Sequence, residues 1–347
     1  MLYVTDLWTR ENNSAYARNR IPGMTVTSKG TLIVYNEARM AGNDWAHMDI
    51  FMQRSEDHGK TFGAPILLAA GTEEIPTVNN PVMVEDHAGC LHFLYCENYA
   101  IRGARVLHRV SNDDGRTWSA PIDVSRMTLP FYRNAFALGP GHGICTKDGT
   151  LVIPIWMVPK CYEQEITAHG PSCISTLYSR DNGVSWQMGE IMLGDSSTPS
   201  PNETELALTS DGCVYLNART KEHCRAVSYS SNGYNGWTPL RPDRTLTDPC
   251  CFGSTVSYCE NGRNVLLFAN CDSETERKNV TVRISFDDGK TWSHKKVLDA
   301  DRGGYVETAV DSDCGTIYVL YETDWGKTCR LVVTDLDSLL SEEALTV

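Results

Sequence analysis

Apolar residues recur along this 347-residue chain in short runs of period two, each closed by a glycine turn or a polar cluster. A glycine leading straight into an apolar strand pattern appears six times, at Gly30, Gly89, Gly149, Gly212, Gly262 and Gly315. Successive spacings are 59, 60, 63, 50 and 53 residues. Each of the first five is followed 18 to 30 residues later by a pattern close to S-x-D-x-G-x-T-W/F, opening at Ser55, Ser111, Ser179, Ser230 and Ser285. The Ser230 copy is degenerate, with Asn232 and Tyr234 where the others carry Asp and Gly, and the sixth unit has no copy. Short alternating strands with frequent turns argue an all-β chain, and 50 to 60 residues make one four-stranded propeller blade. The sequence therefore predicts a six-bladed β-propeller, a single domain over residues 1–347. The opening MLYVTDLW is expected to add a strand to the last blade, because an open sheet edge invites aggregation.

The Ser-Asp-Gly pattern has a mechanical reading. The aspartate accepts turn amides, the glycine supplies a positive φ, and the aromatic packs beneath the hairpin. A calcium-loop reading fails, since no bidentate Glu follows at the required offset. These boxes are expected on the rim away from any reactive site.

Composition narrows the function classes. A net charge of −13 argues against nucleic acid and anionic membrane surfaces as partners. An anionic ligand would need a local basic cluster, because distant charges are screened over roughly 8 Å. The start MLYVTDLWTRENN lacks a basic n-region and a long apolar core, so the chain as written reads as cytoplasmic. Thirteen cysteines, odd in number and without metal-site spacing, suggest neither a zinc site nor a disulfide framework. Vicinal Cys250-Cys251 reads as a buried pair of small apolar side chains.

Propeller geometry sorts the charged residues. If the glycine turns and the boxes lie at the bottom, positions seven to ten residues away lie at the top. Arg20 and Arg39 flank Gly30, Glu203 and Arg219 flank Gly212, and Tyr305 and Glu322 flank Gly315. Arg277 precedes the Ser285 box, and Asp44 falls in a top loop. One such arginine alone would read as a surface ion pair, but eight residues at one end of one ring do not. Clustered arginines suit two-pronged recognition of a carboxylate or phosphate. A Glu beside a Tyr, with a separate Asp, supplies base, nucleophile and acid.

The combination of motifs is specific: R-I-P at Arg20, E-A-R at Glu37 followed by D-x4-D-I from Asp44, and GPGHGI from Gly139. NET at Asn202, NAR at Asn217, the R-x-N-x-T-V-R run from Arg277 into its box, Gly304-Tyr305 and L-Y-E ending at Glu322 complete it. Over essentially its whole length the chain resembles the exo-α-sialidase (neuraminidase) family of Asp-box propellers. The resemblance implies that Arg20, Arg219 and Arg277 form an arginine triad for the substrate carboxylate, with Glu322 paired to the first. It implies Asp44 as acid/base, Tyr305 as nucleophile, Glu203 as its general base, and Arg39 as an accessory arginine. Asn79-Asn80 stand where many members use an Asp, leaving Asn80 to meet the ring substituents. Tyr305 is followed by Val-Glu-Thr, where a small polar residue is more usual.

The substrate so implied is a sialylated glycan, cleaved with retention and without metal or organic cofactor. A neutral phenol suits attack on an anomeric carbon that already bears a carboxylate, and tyrosine-nucleophile sialidases depart from the two-carboxylate scheme in this way. The same residues would serve a hydrolase of a related nonulosonic acid such as deaminated sialic acid, or a transglycosylating variant. An inert carbohydrate-binding propeller would be expected to lose acid, base or nucleophile, yet Asp44, Glu203 and Tyr305 are all present.

Overall fold

The protein is described by a computed structural model covering residues 3–9, 12–98, 104–128, 133–159 and 169–342. Six separate sheets follow one another along the chain, each built mainly of four antiparallel strands. Blade 1 comprises Arg18–Val26, Leu32–Arg39, Met48–Ser55 and Ile66–Ala70. Blade 4 comprises Thr204–Leu208, Val214–Ala218, Cys224–Ser230 and Arg241–Thr247, and blade 5 begins at Ser254–Glu260. Blade 6 holds Val306–Asp311, Thr316–Thr323 and Thr328–Thr334, and takes Tyr3–Trp8 as its outer strand. The last pairing, Tyr3 with Val333 through Asp6 with Arg330, closes the ring as the sequence predicts. A short strand, Gly141–His142, leaves blade 3 to pair in parallel with Val78–Glu85 of blade 2. No helix of the described residues is long and apolar enough to cross a membrane.

All six repeat glycines sit between the first and second strands of their blades, with φ from 70° to 87°. All five box serines end a third strand. In the Ser111 box, Asp113 accepts from Thr117 N at 2.8 Å and from Ser111 Oγ at 2.8 Å, while Gly115 N donates to Ser111 Oγ at 2.9 Å. The residue before the box glycine is also left-handed, for example Asp114 at φ 64°. Such a conformation suits Asp, Asn and His better than branched residues. The degenerate box keeps the role with other atoms, as Asn232 Oδ1 accepts from Tyr234 N and Asn235 N, each at 3.0 Å. The box aromatic goes to the seam between blades rather than beneath its own hairpin. Phe62 packs among core residues of blades 6 and 1, Trp118 with blades 1 and 2, and Trp292 with blades 4 and 5. Each box thus fastens its blade to the preceding one, and burial of such a ring is worth about 2 kcal/mol.

Candidate active site

The first strand of each blade lines the ring's axis, and its leading end is where chain irregularity concentrates. The register breaks between Arg20 and Gly23 in blade 1, and between Asn79 and Val82 in blade 2. Extra residues of this kind re-aim side chains at sheet rims. Ile21, Asn80, Ser200 and Cys250 all adopt left-handed φ, from 48° to 57°, and all four line one cavity. For a β-branched residue such as Ile21 this is an outlier. It is held by a hydrogen bond from Ile21 N to Glu322 Oε1 at 2.9 Å and by burial against Cys251, Phe252 and Tyr305.

The cavity has a volume of about 490 Å³, enough for one sugar residue with substituents. Of the nine residues singled out from the sequence, all but Glu322 line it: Arg20, Arg39, Asp44, Asn80, Glu203, Arg219, Arg277 and Tyr305. Glu322 lies behind the wall and pairs with Arg20 Nε at 2.7 Å. Its carboxylate also accepts from Tyr305 N at 3.3 Å, so one buried group fixes an arginine and the tyrosine backbone together. Five cationic side chains, the four arginines and Lys221, face two carboxylates in the lining. A chain of net charge −13 therefore presents a local basic pocket at one end of its ring.

Tyr305 is the centre of the arrangement. Its hydroxyl donates to Glu203 Oε1, and Arg219 Nη1 lies 2.7 Å from Glu203 Oε2 and 3.4 Å from the phenol oxygen. The guanidinium carbons of Arg20 and Arg277 stand 5.3 Å and 5.6 Å from the ring centroid. Burial, then the Glu203 charge, pushes the phenol well above its ordinary range, and Arg219 and Arg277 pull in the other direction. The resting hydroxyl is neutral, with its proton already directed at a carboxylate.

Asp44, also in the lining, accepts from Arg39 Nη1 at 2.6 Å. Burial works to raise the Asp44 carboxyl, but Arg39, Arg20 and His169 outweigh it and hold it below the usual range. Arg39 is itself gripped by Glu37 at 2.5 Å, and Glu37 Oε1 accepts from Asn80 N at 2.7 Å. Arg277, alone of the proposed triad, has no carboxylate within ion-pair distance among the described residues.

Several lining residues were not singled out in the sequence. Trp156, His169, Ser200, Asn202, Lys221 and Cys250 complete the wall. Trp45 stacks on His169 with centroids 5.8 Å apart, beside Asp44. The vicinal cysteines divide: Cys251 is fully buried, but Cys250 is half-buried and faces the cavity, so the expectation of a buried pair holds for one member only. Three of the residues around the site left a trace in the sequence: Asn202 opens the NET motif, Cys250 is one of the vicinal cysteines, and Glu37, behind Arg39, is the acid of E-A-R.

A profile of the BNR repeat-like domain family matches residues 63–319. The chain belongs to that family. It is similar to a sialidase of Bacteroides fragilis (strain YCH46), 28% identical over 346 residues, covering 90% of this chain and 61% of that protein. A sialidase of Micromonospora viridifaciens is 29% identical over 355 residues, covering 94% of this chain and 53% of the relative. Thus the chain spans little more than half the length of these two relatives. Among solved structures, Hadza microbial sialidase Hz136 superposes with a TM-score of 0.84 at 25% identity, over 97% of this chain and 69% of that one. The six-bladed fold of this BNR repeat-like chain is that of sialidases.

Proposed function

We propose that this protein is an exo-acting glycoside hydrolase that releases terminal α-linked sialic acid from glycans, with retention, through a tyrosyl-enzyme intermediate. The observation that carries the proposal is the Glu203–Tyr305–Arg219 contact set in the wall of a basic, sugar-sized cavity that Asp44 also lines. The sialidase relatives support the substrate class.

In this reading Arg20, Arg219 and Arg277 take the substrate carboxylate, which supplies Arg277 with the anionic partner it lacks among the described residues. Two-pronged guanidinium contacts fix the sugar ring over Tyr305. The phenol oxygen attacks the anomeric carbon as its proton passes to Glu203, and Asp44, an anion in the resting site that takes up a proton from solvent before this step, passes that proton to the departing glycosidic oxygen. Asp44 then takes a proton from water, which attacks the same carbon, while Glu203 returns its proton to the leaving tyrosine. Two inversions give net retention. Arg39 and Asn80 border the ring substituents. None of these steps calls on a metal or organic cofactor.

The test is covalent trapping. A 3-fluorosialyl fluoride should inactivate the protein in a time-dependent manner and leave a labelled peptide containing Tyr305. Proton NMR of the first product should show the α-anomer. Label on Glu203 or Glu307, or a Tyr305→Phe variant with wild-type kcat on a fluorogenic sialoside, overturns the assignment.

A further inference from the structure

The ring closes where blade 6 meets blade 1, and there two turns of different origin come together on the face opposite the cavity. The Ser55 box presents His58, with φ 60°. The repeat turn of blade 6 presents Asp311 and Cys314, the latter just before Gly315; among the six units only this one carries cysteine at that position. His58 Nδ1 lies 3.4 Å from Asp311 Oδ2 and 3.9 Å from Cys314 Sγ, and the three atoms fall within 4.8 Å of one another.

These separations have a chemical meaning. A tetrahedral zinc ion sits about 2.0–2.1 Å from a histidine nitrogen, about 2.0–2.2 Å from a carboxylate oxygen and about 2.3 Å from a thiolate. The edges of such a tetrahedron are about 3.4 Å for nitrogen to oxygen and about 3.6 Å for nitrogen to sulfur, by trigonometry on those bond lengths. The two pairs at His58 match these edges to within a few tenths of an ångström, and Asp311 Oδ2 and Cys314 Sγ lie within 4.8 Å of each other. Asp311 is prepared for the role, because Oδ1 is occupied by Asp313 N at 3.1 Å while Oδ2 faces the imidazole. Cys314 and His58 are exposed, so an ion has an entry path and a fourth position open to water.

A buried histidine–carboxylate cluster on the ring's axis lacks this geometry. His142 Nδ1 lies 2.9 Å from Glu205 Oε2 and 2.6 Å from Glu307 Oε1. Those distances are shorter than any tetrahedral edge, and they leave room for a shared proton, not an ion.

We propose that His58 Nδ1, Asp311 Oδ2 and Cys314 Sγ form a site for one zinc-like divalent cation, which ties the first box to the last blade across the closure of the ring. Binding deprotonates the thiol, and its proton leaves to solvent. The site is remote from the arginine-lined cavity, so its occupancy bears on ring stability and not on turnover.

Full-length protein stripped with chelator should be titrated with Co²⁺ and, in competition, with Zn²⁺. Wild type should show a thiolate-to-cobalt charge-transfer band saturating at one equivalent more than Cys314→Ser. Its Tm should rise with one equivalent of Zn²⁺, whereas Cys314→Ser should show no rise. His58→Asn, chosen because asparagine tolerates the left-handed backbone, should weaken Zn²⁺ binding about 100-fold or more through loss of the imidazole ligand. Both variants should turn over a fluorogenic sialoside at wild-type rates. The proposal is overturned if wild type and Cys314→Ser give the same cobalt spectrum and the same zinc response, which would make the cluster an ion pair beside a free thiol.

Discussion

Replacing Glu203 by Gln is the most informative single change, because it removes the base and keeps the shape. In the native site the Tyr305 hydroxyl donates to Glu203, and the phenol is held well above its ordinary pKa of 10. At pH 6 a phenol of pKa 10 is ionised to about one part in ten thousand, equivalent to ~5.4 kcal/mol, and burial makes that an underestimate. Attack without a proton acceptor would carry that cost, whereas a positioned base typically recovers 10²- to 10⁴-fold, or about 2.7–5.4 kcal/mol. Glu203→Gln should therefore lower kcat by about 10²- to 10⁴-fold on both activated and natural substrates, since both half-reactions move the Tyr305 proton. KM should change little, because Arg20 and Arg277 keep their places and Arg219 merely loses its internal partner. The assay is steady-state hydrolysis of a fluorogenic sialoside and of sialyllactose across pH, with near-ultraviolet circular dichroism as a check on folding. A folded variant with kcat within tenfold of wild type refutes the assignment of Glu203 as base.

Three further outcomes follow from the same geometry. Arg277→Lys keeps the charge but loses the planar fork, and should lower kcat/KM about 100-fold, or ~2.7 kcal/mol; unchanged kinetics would remove Arg277 from the carboxylate site. Asp44→Ala should depress turnover of sialyllactose far more than that of an activated aryl sialoside, which scarcely needs a proton for departure, and equal losses on the two substrates would contradict its role as acid. Asp57 and Asp113, each held down to about 2 by hydrogen bonds from their box threonines, contribute stability that is complete above the unfolded aspartate pKa of about 4 and is lost as pH falls toward 2. Tm should drop over that window, and Asp113→Asn should flatten the drop; an unchanged slope would mean that this box carries no acid linkage.

The fold was legible because a blade cannot bury its faces alone, so its strand pattern and turn chemistry must be written out once per blade. Gly30 and its five counterparts need a left-handed turn, and no other residue meets that need as cheaply. The top-face residues were legible for a related reason: a strand of fixed rise converts distance from a turn into height, which placed Arg20, Glu203 and Tyr305 at one level. Trp156 and His169 were not legible, because each is one aromatic among many and only the ring's curvature brings them to the cavity. Cys250 was misread for a backbone reason. Its φ of 57° turns the side chain out of the core that takes Cys251.

The layering of the axis explains why several site residues have an acidic partner two positions along. Side chains at i and i+2 of a strand share a face, about 7 Å apart in depth. Glu203 lines the cavity and Glu205 lies beneath it, as Tyr305 lies above Glu307, and both inner carboxylates are fully buried. His142 Nδ1 bridges the two, its backbone N donates to Glu205 Oε1 at 2.9 Å, and Ser254 Oγ adds a bond to Glu307 at 3.3 Å. The GPGHGI turn owes its central glycine to this crowding, since a Cβ on Gly141 would lie 2.1 Å from Glu205 Oε1 and 2.5 Å from Glu307 Oε2. Burial, then the neighbouring Glu307, raises Glu205 to about 8, and the two carboxylates together outweigh burial to keep His142 protonated. An unpaired charge at that depth would cost several kcal/mol. Burial raises Glu307 as well, and the hydrogen bonds of His142 to both carboxylates offset part of that cost while they fasten blade 4 to blade 6. The separation between Tyr305 and Glu203, on which the proposed proton transfer depends, is thus set one layer below the site by groups that never meet substrate.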